Sequence, residues 1–179
     1  DAPLPRWRES GSPPDDPGRS LTPYAVDLTA APGWQLTGCS GTLASPPEYG
    51  PTEGVIFRYG AGWNSLVTQC VARLTEDPLH DEKAFVVVTS AAQQASAEAD
   101  FVAAGADLAK VVFAIEPSDS IWLRDYGPHF IWQSDAMAIA DSHYYPTRPK
   151  DNFIPTKLAE DRMLVPDHAM GLYYSGGKF

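Results

Sequence analysis

From residue 54 onward, short apolar runs alternate with stretches whose apolar residues recur every three or four positions. Gly54-Val55-Ile56-Phe57-Arg58-Tyr59 is the first such run and predicts a strand. Leu66, Val67, Cys70, Val71 and Leu74 then share one helical face, with Asn64 where a cap belongs. Residues 84–88 are continuously apolar and rich in valine, the character of a strand buried on both faces. Ser90 caps an alanine-rich helix that Gly105 ends. Residues 110–115, 122–132 and 136–140 predict further strands, and Pro155 suits the first turn of a short helix over 155–160. Strands alternating with helices place this body, residues 46–179, in the α/β class. A new apolar run opens at Gly171 just before the sequence stops, so a continuation that covers an open sheet edge is expected.

Residues 1–45 have a different texture. They are rich in Pro, Gly and Ser, with Pro13-Pro14-Asp15-Asp16-Pro17-Gly18 at the centre, and predict an extended arm without a core of its own. Trp7, Tyr24 and Trp34 are the side chains available to pin it to a folded body.

Charge narrows the partners. A formal net charge of -10 and a pI near 4.6 argue against nucleic acid and anionic membrane surfaces, which need a basic face, and favour a cationic substrate. No run approaches the roughly 18 apolar residues of a membrane span. The opening Asp1-Ala2-Pro3, without an initiator methionine, fits a mature secreted product, so an extracellular location is expected. Cys39 and Cys70 fit either one disulfide or two buried free thiols. Neither has a neighbouring His or a metal-ligand spacing, and no metal is expected.

The chemistry concentrates in Asp119-Ser120-Ile121-Trp122-Leu123-Arg124-Asp125-Tyr126-Gly127-Pro128. A guanidinium ion is planar and permanently charged, so its pocket wants a carboxylate to accept forked hydrogen bonds and an aromatic face to cover the plane. Asp125 and Trp122 supply both groups, and Gly127 and Pro128 turn the chain at the rim. The plainer alternative makes Arg124 and Asp125 a surface ion pair and Trp122 a core residue.

Trp122-Leu123-Arg124-Asp125-Tyr126-Gly127-Pro128 resembles the Trp-x-Arg-Asp-x-Gly-Pro signature of the agmatine deiminase and bacterial peptidylarginine deiminase family, in the guanidine-modifying superfamily with the pentein fold. Pro47-Glu48-Tyr49-Gly50-Pro51-Thr52-Glu53-Gly54-Val55 looks like that family's opening segment. Arg148-Pro149-Lys150-Asp151-Asn152-Phe153-Ile154-Pro155 is similar to the stretch after the signature in secreted bacterial peptidylarginine enzymes. Gly176-Gly177-Lys178-Phe179 resembles the Gly-Gly-Asn-Phe that opens the next block, departing from it at Lys178.

The resemblance implies a fold and roles. Asp125 would bind the substrate guanidinium as a catalytic residue, and Trp122 would wall the pocket. Arg148 matches one of two arginines that hold the carboxylate of a C-terminal arginine; the second has no counterpart in Tyr145-Pro146-Thr147-Arg148-Pro149. Arg124 would be an internal partner of carboxylates, with Asp119 a candidate, and Gly127, Gly176 and Gly177 would be structural. Family chemistry needs a cysteine nucleophile and a histidine acid-base from later blocks, and no cofactor. His80, His129, His143 and His168 stand in no His-x-Asp segment, and both cysteines lie upstream of the signature.

The chain is therefore expected to be a partial pentein, about two ββαβ units plus the first strand of a third. A C-terminal fragment of the same precursor would complete it, and alone it would be inactive. The implied reaction converts arginine in a peptide or protein to citrulline and ammonia. Alternatives are an agmatine deiminase-like enzyme acting on a small guanidine, a non-catalytic arginine-binding module, and a structural acidic domain.

Overall fold

The structure, a computed structural model, describes residues 43–44, 46, 52–79, 81–134, 136–159 and 167–173. Strands β2 (Gly54–Arg58), β3 (Lys83–Val88) and β4 (Val111–Ile115) form a parallel sheet in that order. Parallel neighbours need crossovers, which helices α1 (Asn64–Thr75) and α2 (Ala91–Ala103) provide. Both helices cover one face, where Val71, Ala97 and Phe101 pack with Tyr59, Ala84, Val86 and Val88. Val87 points the other way, into a second cluster with Ala114, Tyr126, Tyr144, Ile154 and Leu158. Burial on both faces accounts for the unbroken apolar run of β3.

Helix α2 begins and ends as its sequence predicts. Ser90 Oγ accepts from the Gln93 amide at 3.2 Å. At the other end Gly105 has φ +84, and the amides of Gly105 and Ala106 donate to the carbonyls of Val102 and Phe101 at 3.0 and 2.9 Å. That pair of bonds closes the helix through a left-handed residue, which glycine adopts without strain.

Helix α1 departs from expectation in two ways. Its cap is Trp63, and Asn64 is already the first helical residue. Leu66 is 51% exposed and Cys70 is exposed, while the buried side includes Val71, Ala72 and Thr75. Thr75 sits there without loss because its hydroxyl donates to the Val71 carbonyl at 2.9 Å and accepts from the Asp107 amide at 3.1 Å. Cys70 carries a free thiol, and Cys39 lies outside the described residues.

A second sheet runs in the order β1-β5-β6-β7. Its strands are β1 (Leu43–Ala44), β5 (His129–Gln133), β6 (Ala136–His143) and β7 (Asp167–Tyr173). The first three pair antiparallel and the last is parallel to β6. The end of the expected arm thus contributes a two-residue strand on β5; the arm before Leu43 lies outside the described residues. Residues 122–132, expected as one strand, divide into the helical turn α3 (Leu123–Tyr126) and β5. Gly127 makes the division: its amide donates to the Leu123 carbonyl at 2.6 Å, and a Cβ there would clash with that same oxygen. Helix α4 (Ile154–Leu158), with Pro155 in its first turn, lies between β6 and β7. Among the described residues no helix is long and apolar enough to cross a membrane.

Candidate functional site

Helical turn α3 carries the Trp-Arg-Asp segment between the two sheets in sequence. The Asp125 amide donates to the Trp122 carbonyl at 2.8 Å, closing the turn that separates the two residues by three positions. Trp122 is 49% exposed, so its ring is available for stacking and is not a core residue. Asp125 is half-buried. Its Oδ2 accepts from the Tyr144 hydroxyl at 3.3 Å, and among the described residues no cation pairs with the carboxylate. The surface-pair alternative for Arg124 and Asp125 is therefore not what the geometry shows.

Tyr144 connects this carboxylate to the segment after β6. It is buried, with its ring between Tyr126 and Tyr145 at centroid distances of 5.4 and 4.6 Å, and its amide donates to Asn152 Oδ1 at 2.8 Å. Burial, and then the neighbouring Asp125 carboxylate, push the phenol above its ordinary pKa. Arg148 Nη1 donates to the Tyr144 oxygen at 3.2 Å, and its Cζ lies 5.9 Å from the centroids of the Tyr144 and Tyr145 rings.

The loop before α3 is held by Asp151, whose side chain is fully buried. Asp151 Oδ1 accepts from the amides of Asp119 and Ser120 at 2.6 and 3.1 Å, and Oδ2 accepts from Ser120 Oγ at 2.6 Å. The Tyr126 hydroxyl donates to the Ser120 carbonyl at 2.7 Å, and burial, with Asp151 near it, raises the Tyr126 pKa. Arg58, at the end of β2, donates through Nε to Ser118 Oγ and through Nη1 to Gln93 Oε1 at 3.1 Å. Burial pushes the guanidinium below its ordinary pKa, and Tyr126 and Asp151 oppose that shift.

Asp119, Arg124 and Arg148 each stand in a different setting from Asp125. Asp119, offered as a partner for Arg124, instead accepts from the Lys150 amide at 2.9 Å and pairs with Lys150 Nζ at 3.4 Å. Arg124 is an exposed residue that lines an open depression of about 300 Å³ with Ile56, Leu123, Gly127 and Pro128; neither Asp125 nor Trp122 lines it. Arg148, expected to meet a substrate carboxylate, is turned toward Tyr144. His129 opens β5, half-buried, and burial alone lowers its pKa. Gly176, Gly177, Lys178 and His80 lie outside the described residues.

Sequence reasoning missed Asp151, Asn152 and Tyr144. The signal was present as an adjacent Asp-Asn pair between β6 and α4, where side-chain acceptors commonly take up loop amides.

No protein-family model matches the chain. Solved structures do. An agmatine deiminase of C. jejuni matches with a TM-score of 0.62 at 16% identity, over 76% of this chain and 42% of that one. Its fold is that of the deiminases. An agmatine deiminase of Enterococcus faecalis gives 0.57 at 18% identity, over 82% of this chain and 40% of that one. A Porphyromonas gingivalis protein assigned as an arginine deiminase gives 0.55 at 19%, over 76% and 43%. Structural neighbours thus comprise agmatine deiminases and proteins assigned as arginine or peptidyl-arginine deiminases. The chain spans about two fifths of the length of these neighbours.

Proposed function

We propose that this chain is the guanidinium-binding front portion of a secreted deiminase, in which further polypeptide of the same precursor supplies the cysteine and histidine. The observation that carries the proposal is the state of Asp125: a half-buried carboxylate with, among the described residues, one hydrogen bond and no cation, three residues after an exposed tryptophan, on the fold of the agmatine deiminases. A guanidinium would set its plane against the Trp122 ring and direct its N–H groups at Asp125. The carboxylate stabilises the positive charge, keeping the central carbon electrophilic. A thiolate from the remaining polypeptide attacks that carbon, ammonia leaves with a proton from the histidine, and water releases the ureido product.

The substrate we favour is arginine within a peptide or protein, on the similarity of the segment 148–155 to secreted peptidylarginine enzymes. A small guanidine is the second reading, and the agmatine deiminases among the structural neighbours favour it. Titration calorimetry of this chain with agmatine and with an acetylated arginine amide separates the two by which binds tighter. Asp125→Asn is expected to weaken either ligand by about 100-fold, on the order of 3 kcal/mol for losing the charged partner. Unchanged affinity in that variant would overturn the pocket assignment.

A further inference from the structure

An arginine side chain has only hydrogen-bond donors, so an oxygen that accepts from it must spend its own proton elsewhere. Arg148 Nη1 donates to the Tyr144 phenol at 3.2 Å, and that phenol donates to Asp125 Oδ2 at 3.3 Å. We propose that Arg148 and Tyr144 form a hydrogen-bond relay that orients the Asp125 carboxylate, fixing the Tyr144 proton on Oδ2 and leaving Oδ1 as the open acceptor for a guanidinium N–H. The ligand part rests on the pocket reading above; the relay itself does not.

Packing holds the relay in place. Tyr144 is buried between Tyr126 and Tyr145, and its amide is tied to Asn152 Oδ1 at 2.8 Å, so its ring has no room to turn away. The Arg148 guanidinium lies against the Tyr144 and Tyr145 rings, which keeps it at the phenol. The Arg148–Tyr144 bond is at the long end of the usual range and the Tyr144–Asp125 bond lies beyond it. Arg148 and Tyr144 are thus positioning residues. Arg148, expected from the resemblance to hold a substrate carboxylate, here has an inward task.

The test reads Tyr144 directly, by carbon-13 NMR of ring-labelled tyrosine, with Tyr144→Phe assigning the signal. Tyr144 faces Asp125 and Tyr126 from α3, and Arg148 and Tyr145 from its own segment. Arg148→Gln removes the cationic donor and is expected to move the Tyr144 ionisation to higher pH; Asp125→Asn is expected to move it lower. Arg148→Lys keeps the charge and is expected to restore part of the first shift. Ethylguanidinium affinity, measured by calorimetry, is expected to fall about 3-fold to 10-fold in Tyr144→Phe and in Arg148→Gln, the effect of one hydrogen bond. A Tyr144 ionisation that ignores both Arg148→Gln and Asp125→Asn would sink the relay. A wild-type chain that binds no ethylguanidinium while Tyr144 responds to both would instead sink the pocket reading and leave the relay standing.

Discussion

Two regions of this molecule are held by different physics. Around β3, apolar side chains from α1 and α2 close one face of the parallel sheet, and cohesion is shared among many van der Waals contacts. Around α3, the loop that leads into the Trp-Arg-Asp segment depends on one buried carboxylate, Asp151, which accepts three hydrogen bonds. The first arrangement tolerates exchange of one apolar shape for another of similar volume. The second does not, because losing the carboxylate leaves several donors without a partner at once.

The largest effect tests the apolar region. Phe101 is fully buried, stacked on Phe113 at 6.1 Å and edge-on to Tyr59 at 5.7 Å. Phe101→Ala is expected to cost about 3–5 kcal/mol in denaturant unfolding, with the cavity contributing to the loss. Asp151→Ala comes next, at about 3 kcal/mol, since two backbone amides and a hydroxyl lose their acceptor and Arg58 loses a compensating charge. The two variants differ in where protection is lost. Hydrogen exchange in Asp151→Ala is expected to rise first at the Asp119 and Ser120 amides, and in Phe101→Ala across β3 and α2 together. Equal loss everywhere in both variants would erase the distinction between the regions.

A smaller effect lies at the start of α2, where Ser90 Oγ takes one otherwise unpaired amide. Ser90→Ala is expected to lower stability by about 1 kcal/mol, read from the shift of the thermal midpoint.

The same division governs what the sequence made legible. In the parallel sheet the signals were local: a valine run for β3, a serine cap and a terminal glycine for α2, and the structure places those elements where the signals stand. Helix α1 was harder, because its buried face, four residues on from Val71, holds the polar Thr75, whose two hydrogen bonds account for its burial. Near the candidate site the residues that matter meet across long separations. Asp151 reaches back 32 residues to Asp119, and Tyr144 reaches 19 to Asp125. No periodicity encodes such pairs. The strand expected over 122–132 failed for a related reason, since Gly127 permits a close backbone approach that propensity does not register.

Acid and base separate the regions a final time. Tyr59, in the apolar layer, donates to Asp100 Oδ2 at 2.6 Å, and burial with that bond raises its pKa to about 12. Its contribution to stability is complete below the ordinary value of 10 and is lost as pH rises through about 12. His129, in the second sheet, is shifted the opposite way: burial lowers it from 6.5. The unfolded chain takes up that proton first, so the contribution is complete above 6.5 and is lost as pH falls below it. Replacing His129 with Gln is therefore expected to flatten the decline of the denaturation midpoint between about pH 7 and pH 5 while leaving the alkaline limb unchanged. An acid limb of the same steepness in the variant would mean that carboxylates alone set it, and that β5 is not where the fold first yields to protons.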